Sequence, residues 1–309
     1  MRLVTYDDGG PRLGLVREGR VADLAALADD ETTRLAFSGA RSFLAAGDTA
    51  IAAARRVMRE AEDHGMVPSW PSLEAVRLMA PVPDPHKILA LAGNYREHLR
   101  EGGSAATPKE RMVPNVFIKP VTTIVGPGEA IRLPGPLCTT VDYEGELGVV
   151  IGSTCHRVSV AAAIDHVAGY LNVNDVSGRS LNIDVPRESS ARTAYFDWLN
   201  GKWFDTFAPM GPMLVLRDEV PDPQSLRLEL RVNDQVRQSA NTSEMIFGVA
   251  ETVAWISQFV TLEPGDIIAT GTPSGVGATT GTFLQPGDVV ELEISGLGLL
   301  RNPVSAPNA

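Results

Sequence analysis

Asp142–Gly152 reads DYEGELGVVIG. It sets Glu144 and Glu146 two residues apart and then runs straight into an apolar strand. Side chains at i and i+2 of a strand share a face, with Cα atoms roughly 6.6 Å apart. Two carboxylates on one face repel, and burying them costs roughly several kcal/mol per ion unless something positive lies between them. A divalent cation meets that need. Taken alone, the pair equally suits the solvated face of an edge strand.

About thirty residues on, Gly169–Ser180 reads GYLNVNDVSGRS, a second apolar strand that ends in a polar turn at Asp175. Glu144, Glu146 and Asp175 together form an oxygen-only donor set with no Cys or His. Such a set selects Mg²⁺, with Mn²⁺ or Ca²⁺ as alternatives, over zinc.

Further out, short β-type runs alternate with Gly/Pro turns: ILALAG, VFIK, AIRL, PMLVL, LRLELRVN, DIIATG and VVELEIS. That spacing predicts a β-rich sandwich or roll. Two helices interrupt it. One, over SVAAAIDHVAGY, is capped by Ser159; the other spans Gly248–Val260, with apolar residues at 249, 253, 256 and 260. Pro-Gly-Asp occurs at 264–266 and 286–288, each time as a turn before a strand. Residues 1–70 read as a small separate α/β unit: a hairpin, then Ala-rich helices over 33–46 and 48–64. The second helix starts from Asp48 and stops at Gly65. A linker, Val67–Ser72, leads to the main domain, 71–309.

With 309 residues, 44% of them hydrophobic, the chain can build a large core. A net charge of −11 argues against nucleic acid as a partner. Two cysteines, Cys138 and Cys155, do not suggest a disulfide framework. The expectation is a soluble, cytoplasmic protein with no signal peptide and no membrane span.

Three further stretches can carry chemistry. In GNYREHLREGG (Gly93–Gly103), His98 and Glu101 lie three apart and share a face on a helical turn. A carboxylate that orients an imidazole makes it a better general base, although a solvated, charged helix end has the same composition. In NGKWFDTFAPMGP (Asn200–Pro212), Lys202 stands beside Trp203 and Phe204. It can be desolvated against those rings to face a developing oxyanion, or snorkel over them at the surface. GTPSGVG (Gly271–Gly277) lacks the Gly-Lys-Ser/Thr ending of a nucleotide loop. It can still present a nest of N–H groups to a carboxylate, or simply make a tight connection. His86, His156 and His166 carry no assigned role, and His166 reads as structural.

Taken in order, GNYREH, FIKP, DYEGELGVVIG, NDVSGR, GKWFDTFAPMGP, TSEMIF and LEPGDIIATGTPSGVG resemble the fumarylacetoacetate hydrolase family over roughly residues 80–303. The resemblance implies an α+β fold, a mixed β-sandwich or roll preceded by a small N-terminal α/β domain. It implies Glu144, Glu146 and Asp175 as metal ligands, and His98 with Glu101 as a water-activating pair on a mobile lid. It makes Lys202 the active-site lysine, and Asn94, Tyr95, Arg179, Asn182 and Thr272 substrate contacts. One departure stands out. Where family members continue Arg-Asp-x-Gln, this chain has Arg179-Ser180-Leu181-Asn182, which bears on the identity of the substrate.

The implied activity is C–C hydrolysis of a 1,3-dicarbonyl or acylpyruvate-type keto acid. His98, oriented by Glu101, deprotonates a water that attacks the distal carbonyl, and Lys202 holds the tetrahedral oxyanion. Cleavage gives a carboxylic acid and a 2-keto acid. Decarboxylation of an oxaloacetate-like acid, isomerisation and hydration are the alternatives, with a non-catalytic keto-acid binder behind them. A homodimer is expected by the same resemblance.

Overall fold

The computed structural model describes residues 1–103 and 107–307. Thirteen strands of three or more residues carry the architecture. They are β1 (Arg2–Asp7), β2 (Pro11–Arg17), β3 (Arg20–Asp23), β4 (Ile88–Ala92), β5 (Asn115–Lys119), β6 (Gly145–Ile151), β7 (Val167–Asn174), β8 (Ala208–Leu216), β9 (Arg227–Val232), β10 (Gln235–Asn241), β11 (Ile267–Ala269), β12 (Val289–Ile294) and β13 (Gly298–Ser305). Nine of them form the path β3-β2-β1-β8-β7-β6-β11-β4-β5 through a sheet of eleven strands, completed by Arg77–Leu78 and Ile124–Val125. A second, five-stranded sheet runs β10-β9-β12-β13 and ends at Ile131–Arg132.

The large sheet is buried on both faces. Alternate residues of one strand therefore enter different cores: Leu89 and Leu91 in one, Ile88 and Ala90 in the other. The first core lies against the five-stranded sheet, through Leu228, Leu230, Leu292 and Ile294. The second lies under the N-terminal helices, through Phe37, Phe43, Leu44 and Val57. Double-sided burial is why GELGVVI and APMGPMLVL read as nearly continuous apolar runs.

The N-terminal segment is joined to the rest more intimately than a separate unit would be. Strand β1 pairs with β8 (Leu3 opposite Leu214), and the helices share their core with β4, β6, β7 and β11. The helices are α1 (Glu31–Ala36) and α2 (Ala40–Asp63), with α2 broken at Gly47, whose φ of 57° interrupts it just before Asp48.

The helix expected after Ser159 is shorter than its periodicity suggested. Ser159 caps it, but the α-turn covers only Val160–Ala163 and tightens to a 3-10 turn through His166. Val167 then enters β7, because its alternating apolar residues find a sheet edge on each side. His166 bonds the Ser153 hydroxyl at 2.8 Å. Among the described residues, three more helices of six or more residues follow: α3 (Arg96–Glu101), α4 (Ala191–Asn200), which has no counterpart among the sequence expectations, and α5 (Val249–Ser257). Both Pro-Gly-Asp triplets are turns, with Gly265 and Gly287 at φ +90° and +94°. In each turn the Asp side chain accepts from the backbone N–H three residues earlier.

Candidate active site

Glu146 lies on β6 and pairs across it with Val173 of β7, and Asp175 follows directly where β7 ends. The Asp175 N–H donates to the Glu144 carbonyl at 2.8 Å, which ties the end of one strand to the start of the other. Glu144, Glu146 and Asp175 are all buried, and each offers an oxygen within 4.8 Å of the others.

Cations crowd this trio. Lys202 Nζ donates to Glu144 Oε2 at 2.7 Å and to Asp175 Oδ2 at 2.6 Å. Lys119 Nζ, at the end of β5, donates to Asp175 Oδ1 at 2.5 Å. Arg179 Nη2 pairs with Glu144 Oε1, and Arg179 Nε donates to Asp142 Oδ2 at 2.8 Å. Glu146 differs: its Oε2 accepts from the Gly271 N–H at 2.7 Å, while Oε1 is buried with no hydrogen-bond partner among the described residues.

The electrostatics follow from these contacts. Burial pushes the Glu144 carboxyl up, but Lys202 and Arg179 outweigh it and hold the group well below the usual range. Burial pushes Glu146 up as well, and the charges of Asp175 and Glu144 add to it, so its pKa lies well above the ordinary carboxyl range. Lys202 is raised: burial opposes its charge, but Asp175 and Glu144 win. An orphaned carboxylate oxygen beside two more carboxylates fits a hard divalent cation, and among the described residues no His or Cys donor joins the trio.

Lys202 is buried, which decides between the two environments its sequence allowed. Its aromatic neighbours are Phe117, 5.1 Å from Nζ to the ring centre, and Trp198 at 5.8 Å. Trp203 instead turns outward and donates its indole N–H to the Ile118 carbonyl. That bond fastens the Lys202 turn to the strand that carries Lys119.

On α3, His98 Nδ1 meets Glu101 Oε1 at 2.8 Å. The other Glu101 oxygen accepts from the Gly275 N–H at 3.0 Å and lies 3.1 Å from the Thr279 hydroxyl. His98 lies near enough for a positive ring to favour the Glu144 charge. The loop 271–279 thereby holds three carboxylates with its N–H groups: Glu146 from Gly271, Glu101 from Gly275, and Asp142 from Gly277 and Ala278. The expected nest exists, and the carboxylates it holds belong to the protein. Gly275 must be glycine, since φ is +101° and a Cβ would lie 2.0 Å from the Arg237 carbonyl.

The remaining sequence candidates fall into three groups. Arg179 and Tyr95 belong to the centre; Tyr95 is buried with an unpartnered hydroxyl, its pKa raised by burial and by the Glu146 charge. Asn94 and Thr272 sit beside it but serve the scaffold. Asn94 spends both amide hydrogens on the Phe247 and Thr270 carbonyls, and Thr272 donates to the Gly145 carbonyl and accepts from Gln238. Asn182 is exposed and bonds the Pro136 carbonyl at 2.9 Å.

Sequence reasoning missed Lys119, Asp142 and Gln238. In NVFIK the alternation was legible: Val116 and Ile118 are exposed, whereas Phe117 and Lys119 are buried. A lysine on the same face as a core phenylalanine signals a buried charge. Gln238, which accepts from Gly145 N–H and donates to Thr272 and Pro273, had no such signal.

The family model described as fumarylacetoacetate (FAA) hydrolase C-terminal matches residues 87–305. The chain belongs to the fumarylacetoacetate hydrolase family. Among curated relatives of this family, human "Oxaloacetate tautomerase FAHD2A, mitochondrial" is 40% identical over 98% of this chain and 91% of its own. "Oxaloacetate tautomerase YisK" of Bacillus subtilis is 42% identical over 75% of this chain and 74% of its own. Among solved family structures, maleylpyruvate hydrolase from Sphingobium sp. SYK-6, in complex with manganese(II) and pyruvate, superposes with a TM-score of 0.77. It is 30% identical, and the match covers all of both chains. The fold is accordingly the α+β fold of this family, and these relatives carry the names of keto-acid enzymes. No described helix is long and apolar enough to cross a membrane.

Proposed function

We propose that this chain interconverts the enol and keto forms of a small 2-oxo dicarboxylate of the oxaloacetate type, with a divalent ion, Mg²⁺ or Mn²⁺, held by Glu144, Glu146 and Asp175. The observation that carries the reading is the hydrogen-bonded His98–Glu101 pair anchored by Gly275, on the same loop whose Gly271 N–H holds Glu146 of the acidic trio. Support for tautomerisation comes from relatives that bear that name and align over nearly the whole chain.

Glu101 holds Nδ1–H, which leaves Nε2 as the proton-transfer atom. In the enol-to-keto direction, protonated Nε2 delivers a proton to C3 while the enol oxygen gives one up to solvent. The reverse steps apply in the other direction. The bound ion would supply Lewis-acid polarisation of the 2-oxo group. Lys202, kept charged by its carboxylate partners, faces the negative charge that develops on the substrate oxygens.

C–C hydrolysis of an acylpyruvate-type acid is the second reading. The same His98–Glu101 pair can activate a water, and a solved relative is named maleylpyruvate hydrolase. We further infer a homodimer, to be checked by sedimentation.

Proton NMR in D₂O, with Mn²⁺ replaced by Mg²⁺ to avoid broadening, tests both. The first reading expects metal-dependent enol–keto equilibration and C3 exchange of oxaloacetate, lost in His98→Ala, with acylpyruvates left intact. Cleavage of acylpyruvates without faster oxaloacetate exchange would replace it by hydrolysis. Silence on both would refute the two together.

A further inference from the structure

The centre holds a buried cation that the proposed chemistry does not use. Lys119 is fully buried, touches no open space, and gives its ammonium to Asp175 Oδ1, at 2.5 Å, and to the Val176 carbonyl, at 3.2 Å. With Lys202 on Asp175 Oδ2 and Glu144 Oε2, and Arg179 on Glu144 Oε1, every oxygen of two of the three metal ligands already has a cationic partner. Glu146 has no cationic partner among the described residues: its Oε2 accepts from the Gly271 N–H, and its Oε1 has no hydrogen-bond partner there at all.

Each carboxylate oxygen carries two lone pairs, so these contacts do not block an ion. They do reduce the negative potential that would attract one. Four carboxylates (Asp142, Glu144, Glu146, Asp175) face three cations (Lys119, Arg179, Lys202). Fully ionised, the set is one charge negative, and a divalent ion turns it one charge positive. In a buried site that surplus is costly, and an arriving dianion relieves it.

We propose that Lys119 is a positioning residue that makes metal binding depend on the anion: by holding Asp175 Oδ1, it leaves the trio a weak cation site alone and a strong one when a 2-oxo dicarboxylate binds with the ion. The inference rests on the reading of the trio as a metal site for a keto-acid substrate. It implies that substrate is also gathered more tightly when metal is present, by the same factor.

The test is calorimetric titration of the metal-free, full-length protein with Mn²⁺, alone and in saturating oxalate, an unreactive planar dianion. For the wild type, oxalate is expected to tighten Mn²⁺ by at least ~10-fold, within the usual range for coupled sites. Lys119→Met keeps the length of the stem and removes the charge. It should bind Mn²⁺ alone ~10-fold more tightly and retain less than ~3-fold of the oxalate effect, and Lys119→Arg should restore wild-type behaviour. A merely structural lysine would not tighten metal when removed. An oxalate effect below ~3-fold in the wild type, or no tightening in a folded Lys119→Met, would overturn the inference. If Lys119→Met does not fold, the wild-type titrations decide alone, with oxalate affinity measured in the presence and absence of Mn²⁺. Mn²⁺ binding unchanged by Glu146→Ala would instead sink the metal-site reading itself, and the inference with it.

Discussion

Glu101→Gln isolates what the carboxylate does for His98. Wild-type Glu101 accepts on both oxygens, from His98 Nδ1–H on one side and from Gly275 N–H on the other. Glutamine has a single acceptor oxygen. If that oxygen serves His98, its NH₂ meets the Gly275 N–H donor to donor; if it serves Gly275, its NH₂ forces the imidazole into the other tautomer. One charge-assisted hydrogen bond is lost either way, about 1.5–3 kcal/mol. At about 1.4 kcal/mol per decade, kcat for enol–keto exchange should fall by ~10–100-fold. KM should move by less than ~3-fold and Mn²⁺ affinity not at all, because Glu101 touches neither Glu144, Glu146 nor Asp175. Stopped-flow ultraviolet absorbance of the oxaloacetate enol reports the rate. If Glu101 works only through His98, the double variant His98→Ala/Glu101→Gln should be no slower than His98→Ala alone. A kcat within ~2-fold of wild type, or losses that multiply in the double variant, would refute the argument.

Glu146 leads to two further expectations. A carboxyl whose folded pKa is raised contributes stability below its unfolded pKa and loses it as pH rises through the folded one. Glu146→Gln should therefore stabilise the metal-free protein at neutral pH, raising Tm by ~2–5 °C, while abolishing the gain that Mn²⁺ gives the wild type. Differential scanning fluorimetry reads both. By the same sign, Mn²⁺ binding must displace a proton from the metal-free site, so affinity should weaken as pH falls. Titration heats should then differ between buffers of different ionisation enthalpy, and buffer-independent heats would contradict this. Gly201→Ala should damage the centre from a distance. A Cβ there would lie 2.0 Å from the Gly178 carbonyl and push away the turn that carries Lys202. A loss of about 1–3 kcal/mol in urea unfolding is expected, together with lower kcat.

The parts of this site that were legible in the sequence are those in which local order and chemistry coincide. Glu144 and Glu146 announce themselves because a two-residue spacing fixes two charges to one face, and Asp175 because an apolar run stops there. His98 and Glu101 are legible because one helical turn relates them. The alternating runs likewise announced the sandwich, since nearly every one became a strand of the two sheets.

What stayed hidden depends on contacts between distant segments. Asn94 looks like a ligand contact until its amide is seen spanning 153 and 176 residues to Phe247 and Thr270. The join of β1 to β8 is equally invisible locally, so residues 1–70 read as separate although they extend the central sheet. Lys119 stands 56 residues before Asp175 and 83 before Lys202, with nothing in their neighbouring residues to relate them. Two lysines on a single aspartate make sense only as a balance against the other carboxylates, and that balance is a property of the assembled pocket. The sequence thus reveals which groups can hold an ion, because ligand type and spacing are local. How tightly they hold it depends on cations brought in from elsewhere, and only the fold shows that here two ligands arrive with every oxygen already engaged.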